Sequence, residues 1–334
     1  MSFFGRKNEQ TERRRSRAGA GFGAAQDNEP SRYLAARRGG NPTLSVGDVN
    51  VSPVGVQITY FKIIEYNKYS MNYLKEKFII KNRLGLDLAI LMEKNQNQKG
   101  VVFVMHGLSG TKEQDHIVAL AEAFFSKGFT VIRFDTTNTF GESGGKYEDA
   151  TITSYYQDLE DVINWAEKQD WYQQPFILCG HSLGGICVSL YAEKFPEKVL
   201  ALVPISPVVT GALTLEAHNR IDAKSLKDWE KTGWLIQTSQ SRPGIIKKLP
   251  WSHMQDRLKY NLLPEAAKLT MPVLLVVGEK DTSTPPDHVK QLFDVLPGLK
   301  EFHIISNAPH TFREPEHLEK IKKVISNWLD KIII

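Results

Sequence analysis

The chain is poor in cysteine and has no long apolar runs, and each of these shortages excludes a structural feature. Only Cys179 and Cys187 occur among its 334 residues, and we expect no structural disulfide between them. No uninterrupted apolar run approaches the roughly 18 residues of a membrane-spanning helix, so none is expected. The N-terminal basic residues are not followed by the apolar stretch of a secretory signal. These absences predict a reducing, cytoplasmic location.

Excess positive charge is also absent from most of the chain. Residues 1–50 contain nine Lys and Arg against five Asp and Glu, whereas the remainder contains 33 of each. The overall charge of +4 therefore says nothing about whether an active site prefers anions.

The segment 1–50 is rich in Arg, Gly and Ala, and its apolar residues have no sustained period. Such a segment cannot bury enough surface to offset the entropy of ordering it, so we expect a disordered tail. Organelle targeting, contact with nucleic acid or a membrane surface through this Arg-rich tail, and a segment foreign to the enzyme stay open as alternatives. Residues 51–73 have no assignable pattern and are treated as a linker.

Strand-like and helix-like segments alternate from about residue 74. Continuous apolar runs at VVFVM (101–105), TVIRF (130–134) and PFILC (175–179) predict strands that are covered on both faces. The alternation predicts an α/β fold, with a mostly parallel central sheet flanked by helices, over 74–207 and 267–334. Between them, 208–266 is rich in Lys, Trp and Ser with two short helical pieces. We expect this segment to be a small inserted cap over the carboxyl ends of the strands.

A serine motif lies between a predicted strand and a predicted helix. GHSLGG (180–185) contains G-x-S-x-G, with FILC before it and ICVSLYAEKF after it. A turn this tight strains Ser182, and the flanking glycines let neighbouring backbone pass without a Cβ clash. The hydroxyl would then stand at a helix N-terminus, which favours developing negative charge. The pattern predicts a nucleophilic serine.

A nucleophilic serine needs an oxyanion site, a base and an acid. HGLSG (106–110) follows a strand and offers the Leu108 N–H to an oxyanion, with the Leu183 N–H as second donor. VVGEKD ends a strand at Asp281, and NAPHTF places His310 on a loop after the last strand. The acid and base are expected to follow the serine of this motif in the order Ser, Asp or Glu, His, and Asp281 and His310 fit that order.

Other acidic and histidine residues fit these roles less well. Asp287 and His317 fall at helix starts and are expected to be solvated or capping residues, and His303 falls within a strand. His181 is expected to be scaffold beside the nucleophile. Four further histidines lack metal-ligand spacing with Cys or carboxylates: His116, His218, His253 and His288. We therefore expect no metal and no cofactor.

The motifs HGLSG, GHSLGG, GEKDTSTP and NAPHTF, in this order, resemble the α/β-hydrolase superfamily over 74–330. Within it the chain is similar to the cinnamoyl/feruloyl esterase-like and monoacylglycerol-lipase-like serine hydrolases, also described as serine aminopeptidase-like. The resemblance implies Ser182 as nucleophile, His310 as base and Asp281 as its orienting acid. It also implies an oxyanion hole from Leu108 and Leu183, and a short cap at 208–266.

One loop departs from the family pattern, in which Asp and two residues precede Gly-x-Gly-x-Ser. Here FDTTNTFGESGG is one residue longer, and Thr or Asn replaces an expected glycine. Because this loop approaches the oxyanion hole in the family, we expect the acyl pocket to differ.

The expected activity is hydrolysis of a small-molecule carboxylic ester, short to medium in chain or hydroxycinnamoyl, through an acyl-enzyme. Monoacylglycerol lipase, acyl-thioesterase and aminopeptidase-like activities stay open, and an inactive binding module is a remote alternative. His106, Gly107, Trp229 and Trp234 are the candidate substrate-binding residues. A monomer and a homodimer both stay open.

Overall fold

The computed structural model describes residues 59–61, 73–239 and 244–333. Its strands are β1 (Thr59–Phe61), β2 (Tyr73–Lys81), β3 (Asp87–Asn95), β4 (Val101–Met105), β5 (Thr130–Phe134), β6 (Phe176–His181), β7 (Val199–Ile205), β8 (Trp234–Thr238), β9 (Ile246–Pro250), β10 (Val273–Gly278) and β11 (Lys300–Ile305). Its helices are α1 (Asp115–Ser126), α2 (Ile152–Ala166), α3 (Leu183–Lys194), α4 (Gly211–Thr232), α5 (Trp251–Arg257), α6 (Pro286–Val295) and α7 (Pro315–Ile332). The predicted tail at 1–50 lies outside the described residues.

Within the described residues, nine strands form one sheet in the order β1-β2-β3-β5-β4-β6-β7-β10-β11. The six strands from β5 to β11 in this order run parallel to one another. The three at the other edge pair antiparallel. The prediction of a mostly parallel sheet flanked by helices is confirmed. β1, which pairs with β2, lies inside the segment treated as a linker.

Both faces of the central strands are buried, as continuous apolar runs require. On β4, Phe103 joins a cluster with Val162 of α2 and Ile186 of α3. Its neighbour Val104 points to the opposite face and joins a cluster with Phe124 of α1 and Trp328 of α7. Helices therefore cover both faces, and the carboxyl ends of the parallel strands share one edge.

The 208–266 segment differs in detail from the two short helical pieces predicted for it. α4 begins at Gly211, because the Thr210 side chain accepts from the Leu213 N–H and caps the helix. The helix is broken at Asp222, where φ is −158° and ψ is 88°. β8 and β9 then form an antiparallel pair that was not predicted.

No helix in the part of the chain that the structure describes is long and apolar enough to cross a bilayer. Cys179 and Cys187 are both buried and free.

Candidate active site

Ser182 lies on a sharp turn between β6 and α3. Its φ is 56° and its ψ is −115°, in a region that residues with a side chain rarely adopt. A Cβ on Gly180 would lie 2.3 Å from the Gly184 carbonyl oxygen, and a Cβ on Gly184 would lie 2.5 Å from that of His106. The close approach of three backbone segments therefore requires glycine at both positions.

Of the other predicted residues, His310 contacts Ser182 and Asp281 contacts His310. The Ser182 Oγ lies 2.9 Å from His310 Nε2, and His310 Nδ1 lies 2.8 Å from Asp281 Oδ2. The three residues follow β6, β11 and β10, and the carboxyl ends of these parallel strands meet at the same edge of the sheet. The fold thus joins side chains that are separated by up to 128 positions.

Asp281 is held in place by its own loop. Its Oδ1 accepts from the backbone N–H groups of Ser283 and Thr284, both at 2.9 Å, and Thr284 Oγ1 lies 3.0 Å from Oδ2. Burial favours the neutral acid, but the charge of His310 and the hydrogen bonds from His310 and the Thr284 N–H outweigh it, so the pKa of Asp281 is lowered. The carboxylate accepts the Nδ1 proton of His310, which leaves Nε2 to face Ser182 as an acceptor.

The rival acid and histidines lie elsewhere. Asp287 forms a surface ion pair with Arg220, and His303 lies 3.0 Å from Glu301. His317, expected to be solvated or capping, is instead buried.

The HGLSG loop after β4 passes directly beside the serine. A Cβ on Gly107 would lie 2.8 Å from the Ser182 Cβ. The backbone N–H groups of Leu108 and Leu183 donate to no acceptor among the described residues. Two unpartnered donors therefore border Ser182, one on the loop and one at the first residue of α3.

His106 links two loops within the protein. It is fully buried, its Nδ1 lies 2.8 Å from the Gly107 oxygen, and its Nε2 accepts from the Thr136 N–H at 3.0 Å. Thr139 Oγ1 also donates to the Gly110 oxygen at 2.6 Å. The unusual loop at 135–145 thus braces the HGLSG loop, and His106, a substrate-binding candidate, has both ring nitrogens occupied by backbone.

His181, expected to be scaffold beside the nucleophile, contacts the backbone of His310. The ring is buried, and its Nε2 lies 2.8 Å from the His310 carbonyl oxygen. Burial and then the neighbouring His116 hold the pKa of His181 well below its usual value, so the ring is neutral and donates Nε2–H. It therefore fixes the backbone that carries His310, and nothing in the sequence pattern signals this.

A cavity of about 100 Å³ lies between the HGLSG loop and residues 208–266, the segment expected to be a cap and called the cap segment below. It is lined by Leu108, Tyr147, His218, Trp229, Leu235, Gln237, Lys247, Leu249, His253 and Arg257. The substrate-binding candidate Trp229 is among these residues, but Trp234 is not: its side chain lies on β8 and is 47% exposed. Sequence reasoning did not single out Lys247 or Arg257.

Comparison with known proteins agrees with this architecture. The family model for serine aminopeptidase, S33, matches residues 96–316. A 31.7 kDa protein of the traX–finO intergenic region of Escherichia coli is 28% identical over 74% of this chain and 96% of its own. The mitochondrial palmitoyl-protein thioesterase ABHD10 of Bos taurus is 27% identical over 70% of this chain and 74% of its own.

Among solved structures, Est1E from Butyrivibrio proteoclasticus with bound ferulic acid superposes with a TM-score of 0.63. The identity is 23%, over 76% of this chain and 98% of that one. Because the family model covers well over half of the chain, the resemblance drawn from the motifs is confirmed. The chain belongs to the S33 serine aminopeptidase family and is a hydrolase with the α/β-hydrolase fold.

Proposed function

We propose that the protein hydrolyses carboxylic esters through an acyl-enzyme, with Ser182 as nucleophile, His310 as base and Asp281 as its orienting acid. The observation that carries the proposal is the continuous hydrogen-bond series from Ser182 Oγ through His310 to Asp281, at 2.9 and 2.8 Å. A hydroxyl with an acceptor imidazole and a buried carboxylate behind it is the arrangement that activates serine.

In the first step His310 Nε2 takes the proton of Ser182 as Oγ attacks the ester carbonyl carbon. The carbonyl π electrons move to oxygen, and the Leu108 and Leu183 N–H groups donate to the oxyanion. When the tetrahedral intermediate collapses, the C–O bond to the alcohol breaks and His310 protonates the departing oxygen. Asp281 stabilises the imidazolium that exists between these events.

Water completes the cycle. His310 removes a proton from water, the hydroxide oxygen attacks the acyl-enzyme carbonyl, and the carboxylic acid leaves as the Ser182 oxygen regains its proton. In this scheme the enzyme needs only its own residues and water, because each proton taken by His310 is returned in the following collapse.

A short or medium acyl chain, or a hydroxycinnamoyl group, is our first choice of substrate, supported by the fold shared with Est1E, whose structure holds ferulic acid. A thioester is the second, supported by the similarity to palmitoyl-protein thioesterase ABHD10. The same site chemistry serves both, because thiolate and alkoxide both leave from a tetrahedral carbon. Monoacylglycerol, amino-acid amides and the inactive binding module are the remaining alternatives.

A substrate panel tests the proposal. The wild-type protein is assayed on 4-nitrophenyl acetate and butyrate, methyl ferulate, a butyryl thioester, a monoacylglycerol and amino-acid 4-nitroanilides. We expect the highest kcat/KM on an oxygen ester. A higher kcat/KM on the thioester or the anilide would assign the protein to that substrate class instead. Turnover of none of the compounds would favour the inactive binding module.

The serine assignment is tested in the same assay. Ser182→Ala is expected to lower kcat by about 10⁴- to 10⁶-fold. Ser126→Ala, at the end of α1 and far along the chain from the turn, is the matched control and is expected to retain wild-type turnover. Wild-type turnover by Ser182→Ala would refute the role of Ser182.

A further inference from the structure

The cavity under the cap segment adjoins the proposed reaction centre. Leu108 lines it and also supplies the proposed oxyanion donor, one residue after Gly107, whose backbone lies against Ser182. The opposite wall comes from the cap segment, through Trp229 of α4 and Arg257 of α5. Leu108 thus borders both the cavity and the proposed reaction centre, so a substrate whose carbonyl lies at Ser182 has this cavity beside it.

Arg257 is a buried cation without a carboxylate partner among the described residues. It is 7% exposed, its Nη2 lies 2.9 Å from His253 Nε2, and its Nε has no acceptor in the described part of the chain. The charge of its neighbour Asp256 attracts Arg257, but no ion pair joins them among the described residues, and burial still lowers the pKa of Arg257 to about 10. The Asp256 carboxylate instead lies 2.5 Å from Thr153 Oγ1 and 3.4 Å from Lys259. A buried charge normally carries a paired anion, because desolvating it alone costs several kcal/mol.

Within the described ranges, the one acceptor of Arg257 is the neutral ring of His253. His253 Nδ1 lies 2.6 Å from the Ala150 oxygen and donates to it. His253 Nε2 therefore carries no proton, and it accepts a hydrogen bond from Arg257 Nη2. Burial, and then Arg257 itself, lower the pKa of His253 to about 3, so the ring carries no charge. His253 orients the guanidinium and does not neutralise it.

The rest of the lining is positive, apolar or neutral and polar, the last group being Tyr147, Gln237 and the two histidines. Lys247 is the second cation, and its Nζ donates to Ser109 Oγ of the HGLSG loop at 2.8 Å. Burial, followed by Arg257, lowers the pKa of His218 to about 4, which keeps that ring neutral. The ten lining residues include two cations and neither Asp nor Glu. Since the chain from residue 51 onward carries balanced charge, this is a local concentration of positive charge.

The cavity also contains a second buried hydrogen-bond donor, the indole N–H of Trp229. Trp229 is 2% exposed, and its Nε1 has no acceptor among the described residues. Leu108, Leu235 and Leu249 supply apolar walls. A rigid guanidinium fork, an indole N–H and apolar walls suit a carboxylate on a short carbon chain, since Arg binds carboxylates in a planar, often bidentate geometry.

We propose that this cavity binds a carboxylate of the substrate, so that the preferred substrate is an ester or thioester that also carries a free carboxylate. The inference rests on the proposed function of Ser182 and names the substrate class of that site. Arg257 would anchor the carboxylate while the scissile carbonyl lies against the Leu108 donor. Two sources share this chemistry, namely a carboxylate on the acyl chain or one on the leaving alcohol.

Two matched substrate pairs test the proposal on the wild-type protein. The acyl arm compares the mono-4-nitrophenyl ester of adipic acid with 4-nitrophenyl heptanoate. The alcohol arm compares 4-acetoxybenzoate with its methyl ester. We expect the anionic member of one pair to have about a ten- to hundredfold higher kcat/KM, the range of a charge-assisted hydrogen bond. The pair that shows this difference identifies whether the carboxylate belongs to the acyl chain or to the leaving alcohol.

Variants of the cavity test the residue assigned to the carboxylate. Arg257→Gln is expected to reduce the anionic-to-neutral ratio of kcat/KM to about one, mainly through KM, and Arg257→Lys to retain part of it. Lys259→Gln removes an exposed charge two residues away and is expected to keep the wild-type ratio.

The outcomes separate the two proposals. Equal rates within both pairs in the wild type would overturn the carboxylate site and leave the esterase proposal intact, whatever the folding of the Arg257 variants. An unchanged ratio in folded Arg257→Gln would overturn the role of Arg257. Failure to hydrolyse any of the four esters, with no labelling by a fluorophosphonate, would overturn the proposed function and this inference with it.

Discussion

Asparagine in place of Asp281 tests how the histidine is held in the proposed mechanism. In the wild type, Asp281 Oδ1 accepts from two backbone N–H groups, those of Ser283 and Thr284 at 2.9 Å, while Oδ2 faces His310 Nδ1 at 2.8 Å. An asparagine must keep its oxygen toward the two N–H donors, because the opposite orientation would set its NH₂ against them. Its NH₂ then faces His310.

This orientation reverses the histidine tautomer. With a donor in front of it, His310 Nδ1 becomes the acceptor and the proton moves to Nε2, which points at Ser182 and can no longer accept its proton. A wrong tautomer costs about 10⁴-fold in kcat in a serine protease triad, which corresponds to about 5.4 kcal/mol of transition-state stabilisation. We expect a loss of this order in Asp281→Asn.

The assay is kcat on 4-nitrophenyl acetate, with thermal unfolding to establish that the variant is folded. Asp287→Asn is the matched control, since this nearby carboxylate pairs with Arg220 at the surface, and it is expected to retain activity within about twofold. A folded Asp281→Asn with more than a tenth of wild-type kcat would refute the tautomer reasoning.

Three further changes address the stability of the fold. Gly184→Ala would place a Cβ 2.5 Å from the His106 backbone oxygen, and we expect a loss of about 1–3 kcal/mol or more in urea unfolding, together with reduced kcat. Lys112→Met would leave the buried Asp135 without its cation, at an expected cost of about 3–5 kcal/mol in the same measurement. Burial, followed by the charge of Glu265, raises the pKa of Glu193 to about 8. Because the folded state then holds this proton more tightly than the unfolded chain, stability is lost as pH rises from the unfolded pKa toward about 8. Glu193→Gln is therefore expected to raise Tm by several degrees near pH 9 and by little near pH 4.

Each of these expectations has an outcome that contradicts it. Wild-type stability in Gly184→Ala would mean that the backbone at the turn can separate without cost. The control for Lys112 is Lys81→Met, which removes an exposed partner of Asp87 and is expected to cost less than about 1 kcal/mol. Equal costs for the two lysine variants would contradict the role given to burial. A Tm gain in Glu193→Gln that does not depend on pH would mean that the carboxyl group is not protonated in the fold.

Much of the core could be predicted because its signals are local. β4 and β5 match the apolar runs at 101–105 and 130–134 residue for residue, since strands buried on both faces need continuous apolar sequence. The meeting of Ser182, Asp281 and His310 follows from topology alone, because carboxyl ends of parallel strands share an edge.

The cap segment could not be predicted in the same way. β8 is mostly exposed, so it lacks the alternation that marks a half-buried strand, and its pairing with β9 depends on a partner rather than on its own pattern. α4 exceeds its predicted length because the cap at Thr210 starts it earlier. β1 has three residues, too few to show a period of apolar residues in the sequence.

Arg257 could not be singled out from the sequence either, because the residues around it come from distant parts of the chain. Its acceptor His253 is four residues away, but the cavity needs the HGLSG loop and two cap strands as well. The division of the chain into tail, linker, core and cap, the alternatives for the tail and the cytoplasmic location all stay predictions.

Mapping the site of covalent modification tests the central claim most directly. The protein is incubated with a fluorophosphonate, digested, and analysed by peptide mass spectrometry, with Ser182→Ala treated in parallel. The proposed mechanism predicts one phosphonyl group, carried by Ser182 in the peptide that contains GHSLGG, and none in the variant. Modification of a different residue, or a folded wild-type protein that stays unmodified, would contradict it.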